Sequence, residues 1–86
     1  MHEQTIIILK ALADPTRLDI IRRLIRDGAS CTEVRAKSAL SQPAISHHFG
    51  KLVEAGIVLE QKSGKEKFYE LNTTLLNQHG IDPHKL

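Results

Sequence analysis

Ser38-Ala39-Leu40-Ser41-Gln42-Pro43-Ala44-Ile45-Ser46-His47-His48-Phe49-Gly50-Lys51-Leu52-Val53-Glu54-Ala55-Gly56 is the stretch on which the reading turns. Ser38-Ala39-Leu40 reads as a turn, with Leu40 plugging the angle between two helices. Ser41 is placed to cap a helix. Pro43 then falls in the first turn, where backbone N–H groups have no intrahelical partner to lose. Ala44, Ile45, Phe49, Leu52 and Val53 follow at helical spacing and pack inward or close to it. Ala55-Gly56 closes the helix. Gln42, Ala44, Ser46 and His47 occupy its exposed N-terminal part.

Downstream, Ile57 to Lys62 is β-prone, Ser63-Gly64-Lys65 is a turn, and Glu66 to Leu71 is a second strand. This polar hairpin carries three lysines, Lys62, Lys65 and Lys67. Upstream, Cys31 to Lys37 reads as a short helix with Val34 facing inward. Ser30 or Thr32 caps it, and Glu33 lies three residues after Ser30, as in a capping box. Before it, Asp14 is a fitting N-cap with Pro15 at the first helical position, opening a helix that runs to about Asp27. Leu18, Ile21, Leu24 and Ile25 form its buried stripe, and Gly28 ends it. The chain opens with a helix over Glu3–Ala13, in which Ile6, Ile7, Ile8, Leu9 and Leu12 are apolar around much of the circumference. An outer helix of a small domain needs only one apolar stripe. The excess calls for a partner, and a second copy of the chain is the simplest one. At the far end Asn72 or Thr73 caps a last helical turn, Thr74 to Gln78, which Gly80 stops. Asp82-Pro83 prevents continuation, and the tail to Leu86 is expected to fray.

These elements make a mainly α domain with one small β-hairpin: a winged helix-turn-helix of order α-α-α-α-β-β with a short C-terminal helix, one domain over residues 1–86. Such an order lets one helix enter the DNA major groove while the wing touches the backbone beside it.

Bulk properties narrow the function. With 86 residues the chain is a single small domain, a size that often gains stability by dimerising. A hydrophobic content of 41% supplies one core and argues against disorder. The net charge is only +2 and the sequence pI near 8.9, so binding to DNA must rest on where the charge sits. Phe49, Phe68 and Tyr69 are the whole of the Phe, Trp and Tyr complement, which argues against single-strand binding by base stacking. The apolar run Ile6 to Leu9 is far too short for a membrane span. Met1-His2-Glu3-Gln4 is not a basic leader, so a cytoplasmic location is the expectation. One cysteine excludes an internal disulfide framework. No Gly-rich phosphate loop, Cys-x-x-Cys pair or nucleophile–base–orienter set is present, and a His beside Ser46 is not a triad. No enzyme and no cofactor are expected.

Each candidate residue has a plainer alternative. Gln pairs bidentately with adenine, Ser and His reach base edges or phosphates, and Ala suits the thymine methyl. Gln42, Ala44, Ser46 and His47 are read as DNA contacts over the alternative of mere solvent exposure. Ser41 can donate to a phosphate as well as cap. Adjacent His47 and His48 point about 100° apart on a helix, which argues against one metal ion between them. Lys62, Lys65 and Lys67 either form a solvated edge that discourages strand pairing or neutralise phosphates. Lys65 is read as a phosphate contact, with His48, Lys62 and Lys67 as further backbone candidates. Arg17, Arg22, Arg23 and Arg26 are read as solvated helix charges or ion pairs with Asp14, Asp19 and Asp27. Cys31 is a small half-buried residue at a helix start or, with its thiol pKa lowered there, a thiol sensor. His79 and His84 are read as tail residues; zinc there needs ligands from elsewhere, such as His2 of another copy.

Three segments in order resemble the ArsR-type (arsenic-repressor) family of winged helix-turn-helix regulators. Leu12-Ala13-Asp14-Pro15-Thr16-Arg17-Leu18-Asp19-Ile20-Ile21-Arg22-Arg23-Leu24 is similar to its second-helix signature. Ser41 to Phe49, with Leu52 and Ala55-Gly56-Ile57-Val58, resembles its recognition helix and exit. Gly64-Lys65 with Phe68-Tyr69-Glu70-Leu71 resembles its wing. The resemblance covers roughly residues 5 to 72. It implies a homodimeric repressor of double-stranded DNA on an inverted-repeat operator, often released by a metal or a thiol-reactive signal. In the family pattern His48 takes the usual Ser-x-His position and supports the helix or a phosphate. The resemblance also implies dimer contacts from the first and last helices, as is usual in such proteins. Here the last helix is short, which leaves dimerisation mainly to the first, through Ile6, Ile7 and Leu9. Many metal-sensing members carry Cys-x-Cys on the third helix, where this chain has Cys31 then Val34. Metal sensing is therefore not carried over. The alternatives kept open are a winged-helix protein-interaction module, and the same repressor switched by a metal or by Cys31 oxidation.

Overall fold

A computed structural model describes residues 3–27, 42–64 and 66–86. The third helix expected over Cys31–Lys37 and its caps, the helix stop at Gly28, Ser41 as cap, Cys31 and Lys65 lie outside the described residues. So do the side chains of Gln42 and Lys67. Four α-helices are described: α1 (Glu3–Leu12), α2 (Pro15–Asp27), α3 (Gln42–Glu54) and α4 (Thr73–Gln78). An antiparallel hairpin of β1 (Val58–Ser63) and β2 (Glu66–Leu71) joins α3 to α4, and a 3-10 turn, Pro83–Lys85, ends the chain.

The break between α1 and α2 follows from Asp14-Pro15. Asp14 Oδ1 accepts the N–H of Arg17 at 3.0 Å, satisfying one orphan donor of α2. On α1, Ile8, Ala11 and Leu12 are buried, the i, i+3, i+4 pattern of one helix face. Ile6, Ile7 and Leu9 lie outside it and are exposed. α2 packs against α1, α3, β2 and the final turn. Its buried stripe is Ile20, Ile21 and Leu24, with Leu18 and Ile25 only partly covered. This corrects the sequence expectation, which omitted Ile20. A helix with neighbours on several sides buries more than one stripe.

α3 turns Ile45, Phe49 and Leu52 into the core, at i, i+4 and i+7. It ends in a Schellman turn: Ile57 N–H reaches Leu52 O and Gly56 N–H reaches Val53 O, each at 3.0 Å. Gly56 has φ 79°, a left-handed conformation that costs a residue with a Cβ. The turn consumes Ile57, so β1 starts at Val58 rather than at Ile57. Asn72 then ties the hairpin to what flanks it. Its N–H donates to Ile57 O at 2.8 Å, its side-chain Nδ2 donates to Gly56 O at 3.0 Å, and its Oδ1 accepts Leu75 N–H at 3.2 Å. Asn72, not Thr73, is therefore the cap of α4. α4 ends in a second Schellman turn at Gly80, with Ile81 N–H on Leu76 O at 2.9 Å.

The expectation of a frayed tail is corrected. Asp82 Oδ1 accepts His84 N–H at 3.0 Å, Pro83 is buried, and Arg22 Nε donates to Leu86 O at 3.0 Å. Pro83 forces the turn, and the turn lays Leu86 against the core. Across the hairpin Val58 pairs with Leu71, Glu60 with Tyr69 and Lys62 with Lys67. These pairs share one face of the ribbon. At its base Val58 and Tyr69 are buried, and Tyr69 stacks on Phe49 of α3 with centroids 4.2 Å apart at 22°. That stack fixes the wing to α3. No helix among the described residues is long and apolar enough to cross a membrane.

Candidate nucleic-acid interface

The stripe that seals α3 into the core decides what its other side presents. Pro43, Ser46, His47, Gly50 and Lys51 are exposed, and Ala44 is half-buried at the edge of the stripe. Ser46 and His47 thus lie together on the outer face. Lys51 rides the same face one turn beyond His47, paired with Glu54 at 3.8 Å. Reasoning from sequence passed Lys51 over, although its i+4 spacing from His47 was there to read.

His48 stands apart from this face. Its side chain is 18% exposed and turns toward the α1–α2 corner. There its Nδ1 lies 3.4 Å from Arg17 Nη1 and 4.0 Å from Asp14 Oδ1. The roughly 100° step per residue explains the contrast with His47. The two rings still meet edge to face, with centroids 5.5 Å apart at 67°.

Of the two readings left open for Arg17, a solvated charge or an ion pair with a nearby aspartate, the solvated one does not hold. Arg17 is half-buried, and its Nε donates to Ala11 O at 2.6 Å, satisfying a carbonyl at the end of α1. Arg23 does pair with Asp19, at 2.8 Å and i, i+4, a surface pair of little energetic weight. The Arg17 N–H holds the Asp14 carboxyl below the ordinary carboxylate range. Partial burial works against this, and the Arg17 guanidinium and then His48 work with it.

On the wing, Lys62 is exposed and stands opposite Lys67 in the register. On α1, Ile6 is 40%, Ile7 47% and Leu9 41% exposed, all outside the buried stripe of Ile8, Ala11 and Leu12. His79, read from the sequence as a tail residue, caps the end of α4 and is hydrogen-bonded through Nδ1 to Thr5 Oγ1 of α1 at 2.7 Å. Among the described residues no three His, Cys, Asp or Glu side chains gather as a metal site.

Comparison with known proteins agrees with this geometry. Residues 12–61 match a family model described as a helix-turn-helix domain. The chain is 41% identical over 69 residues to an uncharacterised HTH-type transcriptional regulator of Methanocaldococcus jannaschii, covering 79% of this chain and 78% of that protein. It is 33% identical over 69 residues to the transcriptional repressor SdpR of Bacillus subtilis, covering 80% and 77%. Among solved structures, an ArsR-like transcriptional regulator from Rhodococcus sp. RHA1 superposes with a TM-score of 0.80 at 28% identity, over 90% of this chain and 73% of that one. With its helix-turn-helix and wing in this order and relatives of this similarity, the chain belongs to the ArsR-type family of winged helix-turn-helix transcriptional regulators, which bind DNA and are not enzymes.

Proposed function

We propose that residues 1–86 act as one domain, a homodimeric repressor that binds an inverted-repeat operator in double-stranded DNA. The observation that carries this reading is the division of α3: Ile45, Phe49 and Leu52 are sealed in the core while Ser46 and His47 are exposed on the opposite side. A helix anchored on one face and polar on the other is what a major groove admits. In this reading Gln42, Ala44, Ser46 and His47 meet base edges, and Ser41 meets a phosphate. Lys65, with Lys62 and Lys67, neutralises the backbone beside the groove. His48 serves the backbone side only indirectly, since it is turned toward Arg17. The exposed Ile6, Ile7 and Leu9 support a second copy packed on α1. Likeness to a named repressor supports repression as the outcome.

Selection of bound sites from a random double-stranded pool at physiological salt tests the reading. The expected product is an inverted repeat with half-site centres about 34 Å apart. Weak binding that salt abolishes, with no enriched motif, refutes it in favour of a protein-interaction module. On the selected site, Gln42→Ala changes sequence preference. Lys62→Ala weakens all DNA alike and lowers the salt slope by about one.

A further inference from the structure

We propose that Arg17 is a positioning residue for DNA recognition: through His48 it holds the ring of His47 in place on the exposed face of α3. The inference rests on the reading of that face as the one that meets DNA. Arg17 is fixed before it reaches α3. Its Nε donates to Ala11 O at 2.6 Å, which anchors the guanidinium at the corner of α1 and α2, where its main-chain N–H donates to Asp14 Oδ1 at 3.0 Å. From there Nη1 faces His48 Nδ1 at 3.4 Å. The guanidinium can only donate, so this contact is a hydrogen bond in the tautomer that carries the ring proton on Nε2 and leaves Nδ1 as acceptor. The half-buried His48 ring in turn meets His47 edge to face, at 5.5 Å between centroids.

The chain of contacts therefore runs from the end of α1 to an exposed imidazole without a gap. An unsupported surface imidazole samples several rotamers, and binding must then order it. A ring already propped avoids that cost, which shows as affinity for the correct site. Only arginine suits the post. Its planar fork serves a carbonyl and an imidazole at once, whereas a lysine ammonium on a flexible stem does not.

The test is a double-mutant cycle on the operator recovered by selection, with wild type, Arg17→Met, His47→Ala and the double variant titrated at two salt concentrations. Each single change is expected to weaken specific binding about 10-fold. The double variant should lose no more than about 20-fold, because the two residues act as one unit. The salt slope of Arg17→Met should equal that of wild type. Independent losses that multiply to about 100-fold overturn the proposal. So does a slope lowered by about one, which makes Arg17 a phosphate contact. His48→Phe is the second variant. It keeps a ring against His47 but removes the acceptor, and it should reproduce the loss and the non-additivity; a wild-type affinity overturns the proposal. A DNA-free arm separates this inference from the DNA reading. Arg17→Met should shift the ring resonances of both His48 and His47, and unchanged His47 signals overturn the prop whether or not an operator is found.

Discussion

Ile7 is the most exposed of the large apolar residues on α1, at 47%, so about half of its side chain is left to bury. Burying a whole Ile is worth about 1.5–3 kcal/mol, and the uncovered half therefore about 1 kcal/mol. In a two-fold dimer the same residue is buried twice, which doubles the effect to about 2 kcal/mol. Ile7→Gln should then raise the dimer dissociation constant about 30-fold. The variant is chosen to spare the fold. Gln is at least as good a helix former as Ile, and the core side of α1 is carried by Ile8, Ala11 and Leu12. Sedimentation equilibrium over a concentration series reads the constant directly, with thermal unfolding as the control for the protomer. A second change at another exposed residue of α1, Ile6→Gln, should act in the same direction. An unchanged dissociation constant in both variants refutes the assignment of this face. A wild-type chain that stays monomeric at high concentration refutes the dimer itself.

Three further outcomes are expected. Phe49→Ala removes a ring that is 1% exposed and stacked on Tyr69, and should cost about 3–5 kcal/mol in urea unfolding; a loss below about 1 kcal/mol means the wing is not anchored there. Gly56→Ala puts a Cβ at φ 79°, 3.3 Å from Leu75 Cδ2, and should lower stability by about 1–2 kcal/mol. Gly80→Ala, at φ 74° with nothing near its Cβ, should be the milder of the two, and the reverse order in thermal melts contradicts the geometry. Asp14 has its folded pKa lowered, so its contribution is present above the ordinary carboxylate range and is lost as pH falls through the folded value. Asp14→Asn keeps an acceptor for the Arg17 N–H but removes the titration, and should flatten the acid limb of the melting-temperature profile. Superimposable acid limbs for the two proteins contradict that origin.

Where local rules apply, residues announced their structure. Asp14-Pro15 opens α2, and Ala55-Gly56 stops α3, because caps and left-handed turns depend on side chains within a few positions. The inward set of α3 was legible from its spacing alone, and with it the exposure of Ser46 and His47. The wing was legible from two β-prone runs around a Gly turn. Ile20 was missed because a single-stripe rule assumes one neighbour, and α2 has several. The docked tail was missed because its partner, Arg22, stands 64 positions from Leu86.

Sequence alone thus determined the order of the described elements, the start of α2, the stop of α3, the core side of α3 and the family, since periodicity and capping act over one or two turns of chain. Tertiary structure alone decided which polar residues far apart in the chain meet. It brought Arg17 to His48 across 31 positions and Thr5 to His79 across 74, and it set Lys62 opposite Lys67 in register. Such pairings depend on how whole elements pack and slide against one another, and hydrophobic burial, which sets that packing, carries no directional mark in the residues that later touch.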